Sequence, residues 1–185
     1  MPKRSQEHLD ARRAQILEGA RRAFARYGYD GATVAKLEEE TGLSRGAIFN
    51  YFDSKQDLFI ELATETSRSY GGLVLERGLE PVIRAMAEED PAWLGVLLEM
   101  EARLRHDPEF MRRMDATMDD QSPRIVDWFA AGQKAGTFRD DIPPLELARF
   151  ATVVLNGFAL RVLGGDPTDV DALLRLLNDA LAPRK

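Results

Sequence analysis

The side chains with the most informative chemistry lie in the segment SRGAIFNYF, residues 44–52. Arg45 can donate two parallel hydrogen bonds to O6 and N7 of guanine, and Asn50 can pair in a similar way with adenine. Ala47 and Phe49 are apolar groups that can contact a thymine methyl group. These residue types at this close spacing are suited to reading base edges in the major groove of DNA. A phosphate contact is the alternative role of Arg45.

Residues around this segment carry groups suited to phosphate or to close approach. Thr33 stands at a predicted helix start, where its hydroxyl and the backbone N–H groups can bind a phosphate oxygen, and ordinary capping is compatible with that role. Lys55 offers a point charge near the next helix start, with a merely solvated lysine as the alternative. Ser44 opens the segment, and Gly46 would let its backbone approach DNA closely.

Local signals predict two short helices joined by a glycine turn. Thr33 is a favourable N-cap, and Gly42 can adopt the positive φ that ends the first helix. Ser44 then caps a second helix of about two turns. Ile48 and Phe52 are four residues apart and should point inward, and a helix this short must be held by neighbours. This arrangement is typical of a helix-turn-helix, which presents its second helix to the DNA major groove.

Two longer helices are predicted to flank this pair. The first, about Asp10–Tyr27, has an apolar stripe on one side, made of Ile16, Ala20, Ala23, Phe24 and Tyr27. Ser54 and Asp57 fit a capping box that starts a long fourth helix, with Gly71 and Gly72 near its far end. The stripe should pack beneath the two short helices, and the fourth helix should lead away from them.

The net charge of −6 is distributed unevenly along the 185 residues. Residues 1–51 contain 9 Lys/Arg against 7 Asp/Glu, a balance of +2, whereas residues 52–185 contain 16 against 24, a balance of −8. The excess of positive charge therefore lies with the predicted helix-turn-helix, which favours a few well-placed phosphate contacts. Solvated surface arginines are the alternative explanation.

Composition and motifs exclude several other classes of protein. Cysteine is absent, which excludes disulfides and thiolate chemistry. His106 beside Asp107 is better explained by helix termination than by catalysis, and no catalytic motif is present, so we expect no enzyme. The sequence has no apolar run long enough for a membrane span, and its charged N-terminus lacks a signal-peptide region. A soluble cytoplasmic protein is therefore expected.

Helical patterns continue to the C-terminus without strand alternation, and Pro81, Pro91 and Pro108 lie near predicted helix starts. We therefore predict an all-α fold of about nine helices. A three-helix helix-turn-helix domain should occupy residues 1–53, and a larger helical body residues 54–185. A helical protein–protein interaction module that does not bind DNA is the alternative, and it would show no salt-dependent duplex binding.

Two ordered blocks resemble the TetR family of one-component transcriptional repressors: AQILEGARRAFARYGYDGATV and GLSRGAIFNYFDSKQDLF. The resemblance covers about residues 11–62. It implies a homodimeric repressor that binds a pseudo-palindromic double-stranded DNA operator and is released by a small-molecule effector, with no required cofactor and no membrane. It also implies that Tyr51 reaches the DNA backbone, with a partly buried core position as the alternative.

In this family the last two helices of two chains pair into a four-helix bundle. Here those helices would be about residues 145–163 and 168–181. The predicted dimer interface is an apolar stripe on them: Leu147, Phe150, Ala151, Val154, Phe158, Leu173, Leu174 and Leu177. Internal core is the alternative for some of these positions.

The resemblance further implies that the helical body binds the effector. The candidate residues combine apolar and charged side chains: Trp93, Glu99, Met100, Arg103, Met118 and Trp128. Packing is the alternative for the apolar members, and surface ion pairs are the alternative for the charged ones. The charged members are suited to an anion or to a carboxylate-bound cation, and the presence of a metal stays open.

Five shorter blocks are similar to the actinobacterial aconitase repressors within this family: ILEGARRAF, GYDGATV, KLEEETG, SRGAIFNYF and LRHDPEF. This resemblance implies a citrate–magnesium complex as the effector. It thins after Met114, and Trp128 and Phe129 make the following region apolar. An unidentified, hydrophobic effector is therefore the alternative.

Overall fold

Ten helices and no strands make up the described residues of this computed structural model, which confirms the predicted all-α fold. The structure describes residues 2–104, 106–117, 122–165 and 167–184, with side chains except at 2–5, 100–104, 114–117 and 122. In chain order the helices are α1 (Pro2–Gly31), α2 (Val34–Thr41), α3 (Arg45–Phe49), α4 (Lys55–Arg77), α5 (Leu79–Glu88), α6 (Pro91–Leu104), α7 (Pro108–Thr117), α8 (Ser122–Lys134), α9 (Pro144–Leu163) and α10 (Val170–Leu181). Within the described ranges, no helix has the length and apolar character that crossing a membrane requires.

Helix α1 is longer than the predicted Asp10–Tyr27 and contains a kink at Gly28. The φ of Gly28 is 67°, a value that glycine adopts without the strain other residues would incur. After the kink, the ring of Tyr29 stacks on Phe24 with centroids 5.7 Å apart and meets Phe59 edge-on at 5.5 Å. The break that the glycines predicted is therefore a kink followed by one more helical turn.

The predicted helix-turn-helix signals are confirmed at each boundary. Thr33 caps α2, since its hydroxyl accepts a hydrogen bond from Lys36 N at 3.4 Å. Gly42 ends α2 with φ of 69°. Ser44 caps α3, since its hydroxyl accepts from Ala47 N at 3.4 Å.

Helix α3 contains five residues and is shorter than the predicted nine-residue segment SRGAIFNYF. Asn50 N still bonds to Gly46 O at 3.1 Å, but Tyr51 N bonds to Ile48 O at 3.0 Å, only three residues back. This tighter turn ends the helix. Ile48 is fully buried and Phe52 is 6% exposed, so both predicted inward positions are confirmed.

The predicted cap at the start of α4 is present, with the Asp57 carboxylate bonded to the Ser54 hydroxyl where a capping box would use the Ser54 backbone N–H. Asp57 N donates to Ser54 Oγ at 3.2 Å, and Ser54 Oγ donates to Asp57 Oδ2 at 2.7 Å. The helix continues through Gly71 and Gly72 and stops at Gly78, whose φ is 84°. A single helix of 23 residues therefore follows the helix-turn-helix in the chain.

The described residues form two compact units, each with its own apolar core. The first unit lies within Met1–Glu65 and Gly95–Met118, and the second within Thr66–Leu94 and Asp119–Lys185. Fully buried side chains of the first unit are Ile16, Ala20, Ala23, Phe24, Ala32, Leu37, Ile48, Leu58 and Phe59. Those of the second are Val82, Ile83, Trp93 and Phe129. The division into domains 1–53 and 54–185 stays a prediction.

Candidate nucleic-acid interface

Helix α3 has one buried side and one open side. The predicted base-contacting residues lie on the open side: Ser44, Arg45, Gly46 and Asn50 are exposed, and Ala47 and Phe49 are half-buried. A Cβ built at Gly46 meets no atom within 4 Å, so the surface there is open to close approach. The arrangement leaves polar and apolar groups available to base edges along one short helix.

Arg45 is held at its backbone and exposed at its side chain. Its backbone N donates to Glu38 Oε1 at 2.6 Å, which ties the start of α3 to α2. Its guanidinium carbon lies 6.0 Å from the centroid of the Phe49 ring, one helical turn further on. Sequence reasoning missed Glu38, because a side chain that reaches a backbone group seven residues away carries no local sequence signal.

The start of α2 combines the Thr33 hydroxyl with a nearby cation. Lys36 Nζ lies 2.7 Å from Glu39 Oε2 and 4.9 Å from the centroid of the Tyr27 ring. The hydrogen bond to Glu39 raises the pKa of Lys36, and the same bond lowers the pKa of Glu39. Lys36 therefore remains a cation near the exposed Thr33, where a phosphate contact is predicted.

Lys55 and Tyr51 are both half-buried. Lys55 Nζ donates to Tyr29 O at 2.8 Å and lies 4.5 Å from the centroid of the Tyr29 ring, so it fastens the start of α4 to the end of α1. Tyr51 lines an open groove of about 210 Å³ together with Phe52 and Asp53. Their predicted phosphate contacts stay predictions.

Close contacts between α1 and α2 hold the helix-turn-helix in place. A Cβ built at Gly19 would lie 2.6 Å from Thr41 Cα, so glycine is required for this approach. Gln15 Nε2 donates to Thr41 O at 3.0 Å, and Arg22 Nη2 donates to Glu40 O at 2.6 Å. The end of α2, and with it the turn into α3, is thereby fixed against the first helix.

Several arginines that give the N-terminal segment its positive charge form ion pairs within the chain. Arg22 and Arg26 lie 3.5 and 3.4 Å from the Glu40 carboxylate. Arg13 lies 3.0 Å from the Glu61 carboxylate, and its guanidinium carbon is 5.0 Å from the Phe52 ring centroid. Part of the positive charge therefore has a structural role.

The predicted effector residues have different surroundings. Trp93 is fully buried, and Trp128 is half-buried with its ring 4.9 Å from both Phe129 and Phe138, centroid to centroid. Glu99 is exposed. Met118 and the side chains of Met100 and Arg103 lie outside the described residues.

One polar group missed by sequence reasoning is the hydroxyl of Thr64, on α4. Thr64 is 4% exposed, and its hydroxyl has no hydrogen-bond partner among the described residues. A buried polar group without such a bond carries an energetic cost, which a bound polar molecule would relieve. The described side chains contain no group of three or more His, Asp or Glu that could hold a metal ion.

The predicted dimer stripe is mostly the internal core of the second unit. Five of its members are buried within their own chain: Leu147, Ala151, Phe158, Leu174 and Leu177. Val154 and Leu173 are half-buried, and Phe150 is 40% exposed. The physical reason is that α9 packs on α8 and α5, and α10 packs on α5, within the same unit.

A different set of large apolar side chains on the last two helices is exposed. It consists of Leu145, Phe150, Val153, Leu160 and Leu163 on α9 and Leu176 on α10. It shares Phe150 with the predicted stripe. Val153 and Leu176 are 69% and 68% exposed. Exposed apolar side chains are candidates for an interaction surface, so we consider this set beside the predicted dimer interface, which stays a prediction.

An exposed short helix on a braced helix-turn-helix, followed by a helical body, defines the class of DNA-binding transcriptional regulators. The family model of bacterial regulatory proteins of the tetR family matches residues 16–62, and that of the C-terminal region of BetI-type transcriptional repressors matches residues 75–183. The chain belongs to the TetR family of transcriptional repressors, as the family resemblance of the sequence predicted.

Full-length relatives are repressors of the same kind. The chain is 40% identical over 184 residues to the HTH-type transcriptional repressor Rv1474c of Mycobacterium tuberculosis, covering 98% of each. It is 39% identical over 184 residues to the HTH-type transcriptional repressor AcnR of Corynebacterium diphtheriae, covering 98% of this chain and 97% of the relative. The similarity therefore extends through the helical body.

Solved structures share the fold at lower sequence identity. The fatty acid degradation regulator FadR of Bacillus halodurans has a TM-score of 0.72 at 19% identity, over 91% of this chain and 93% of that one. Salmonella enterica GusR has a TM-score of 0.71 at 20% identity, over 92% and 95% of the two chains. At this identity the likeness concerns the fold alone.

Proposed function

We propose that this repressor binds a pseudo-palindromic DNA operator as a homodimer and that a small-molecule effector releases it. The observation that carries the proposal is the exposed side of α3, held from beneath by buried Ile48 and presented by a braced helix-turn-helix. One such helix reads only a few base pairs. Two copies related by a two-fold axis would read two half-sites, which gives useful specificity.

In this proposal, contacts to the bases and contacts to the phosphates are made by different residues. Arg45 reads guanine and Asn50 reads adenine, while Ala47 and Phe49 contact thymine methyl groups. Thr33, Ser44, Tyr51 and Lys55 position the helix on the phosphates, with Gly46 allowing the close approach. The exposure of Arg45 and Asn50 supports base reading, since each side chain is open to a duplex edge.

The dimer would form through the exposed apolar face on the last two helices. Phe150, Val153 and Leu160 follow one side of α9 at spacings of three and seven residues, as helix pairing requires. Leu176 adds an exposed apolar group on α10. Burial of this face against a second copy would remove it from water, which is the main driving force for association.

For the effector we propose a citrate–magnesium complex, with magnesium arriving as part of the ligand. The similarity to repressors named AcnR, over 98% of this chain in one case and 85% in another, supports this choice. Glu99 and Arg103 are the charged candidates for its recognition, and Trp93, Met100, Met118 and Trp128 are the apolar candidates. The aromatic cluster of Trp128, Phe129 and Phe138 supports a hydrophobic effector as the second candidate.

The proposed activity is binding, and it needs neither a catalytic group nor a membrane. We place the protein in the cytoplasm, where chromosomal DNA is accessible to a one-component regulator. Its expected partners are double-stranded DNA, a second copy of the chain and the effector.

Selection of bound sequences from random duplex DNA, followed by salt titration on the selected site, tests the proposal. We expect a pseudo-palindromic site, and an affinity that falls steeply with salt because phosphate contacts release counterions. Citrate with Mg²⁺, citrate alone and a panel of hydrophobic compounds are then tested for release of the selected duplex. Binding that is absent, or independent of salt, would contradict the proposal and favour a protein–protein interaction module.

A further inference from the structure

We propose that Glu38 is a positioning residue that fixes the start of α3 and so determines how Arg45 meets DNA. This inference rests on the proposed function, because it assigns a specificity role within the same DNA-binding surface. It is carried by the 2.6 Å hydrogen bond from Arg45 N to Glu38 Oε1.

Glu38 contacts both sides of the glycine turn. Its backbone O accepts a hydrogen bond from Gly42 N at 3.0 Å, which closes the end of α2. Its carboxylate accepts from Arg45 N, which is the first residue of α3. One half-buried residue therefore links the end of one helix to the start of the next, and it fixes the angle between them.

Helix α3 depends on such a link because it is too short to be stable by itself. It has five residues, and an isolated helix of that length does not persist in water. The capping bond from Ala47 N to Ser44 Oγ is long, at 3.4 Å. The bond to the Glu38 carboxylate is shorter and charge-assisted, and such bonds are the stronger kind.

The charge of Glu38 has a second consequence for Arg45. The Glu38 carboxylate takes up the Arg45 N–H and repels a phosphate that approaches this N–H, while the Ser44 hydroxyl beside it can still donate to a phosphate. The Arg45 side chain, exposed on the same helix, is then presented to base edges rather than to the DNA backbone. Removing the charge should therefore strengthen non-specific binding more than operator binding.

The test compares Glu38→Gln with Glu39→Gln in the full-length protein. Glutamine keeps the size and an acceptor oxygen but removes the charge. Exposed Glu39 pairs with Lys36 within α2 and makes no hydrogen bond to α3 among the described residues, so it is the matched control. We expect Glu38→Gln to lower the ratio of operator affinity to random-duplex affinity about fivefold, which corresponds to about 1 kcal/mol. Glu39→Gln should change both affinities together and leave their ratio within about twofold of wild type.

A second measurement examines the hydrogen bond directly. In Glu38→Ala, we expect hydrogen exchange at the Arg45 amide to become faster, whereas Glu39→Gln should leave it unchanged. Equal affinity ratios in Glu38→Gln and Glu39→Gln, or an unchanged Arg45 amide in Glu38→Ala, would overturn the inference. Failure of wild-type protein to bind any duplex would instead overturn the proposed function, while the exchange measurement would still test the Glu38 contact.

Discussion

The backbone of Arg45 is fixed by a hydrogen bond to Glu38, whereas its side chain is exposed. Removing the side chain should therefore affect DNA recognition more than folding. We expect Arg45→Ala to weaken binding to the selected operator by roughly 1–3 kcal/mol and to relax discrimination at one base position. Binding to random duplex should change little, because a base contact contributes mainly to the correct site. Competition with operators substituted at single positions measures this, and Arg124→Ala on α8 is the matched control.

An equal loss for operator and random duplex would identify Arg45 as a phosphate contact instead. That outcome would select the alternative that the sequence leaves open. The proximity of the Phe49 ring does not decide between the two roles, since an arginine stacked at 6.0 Å can still extend toward either group.

Lys55 differs from Arg45 because its ammonium group is already bound to the backbone of Tyr29. An ammonium has three donors, so a phosphate contact is compatible with this bond. We expect Lys55→Ala to weaken binding to all duplexes alike and to reduce the slope of log affinity against log salt by about 1. Lys134→Ala, at the end of α8, should leave the slope unchanged. A loss restricted to one sequence would contradict the phosphate role.

At the scale of elements, α1 and α2 approach each other closely at Gly19. We expect Gly19→Ala to destabilise the protein by roughly 1–3 kcal/mol, because its Cβ would meet the backbone of Thr41. Gly72→Ala is the matched control, since a Cβ there meets no atom within 4 Å and alanine is the better helix former. Urea unfolding at one fixed protein concentration measures both, and equal midpoints would contradict the role of Gly19.

The same elements show what a sequence pattern can and cannot predict. Thr33, Gly42 and Ser44 were identified correctly because a cap depends on residues within one helical turn. The length of α3 and the bond from Arg45 N to Glu38 could not be predicted in this way, because both depend on how two helices meet across the turn. The kink at Gly28 was predicted in part. The glycines predicted a break in the helix but not the further helical turn after it.

At the scale of the whole molecule, amphipathic patterning predicted that α9 and α10 are apolar but not which side is buried. Leu147 and Val153 are equally acceptable interface residues in sequence, yet the first is 2% exposed and the second 69%. The difference arises because α5 and α8 cover one side of α9. Effector-binding residues are difficult to predict for a similar reason. A tryptophan buried in a core and a tryptophan in a ligand site have the same sequence signature.

The proposed role of the exposed apolar face on α9 and α10 as the dimer interface can be tested by placing a charge on it. Leu176→Glu should leave the monomer folded, because this side chain is 68% exposed, but it should bury an unpaired carboxylate in the dimer. We expect the dimer to weaken by about 2 kcal/mol or more, which corresponds to roughly 30-fold. Asn178→Glu is the control, since it places the same charge on α10 about 200° around the helix, also at an exposed position.

Sedimentation equilibrium measures the dimer, and titration of full operators against single half-sites measures its consequence. If dimerisation joins the two reading helices, Leu176→Glu should lower affinity for the full operator while affinity for a half-site stays as in wild type. The control should match wild type in both. A Leu176→Glu protein with the dimer dissociation constant of wild type would exclude this face as the contact, because a carboxylate buried against an apolar partner must lower the affinity.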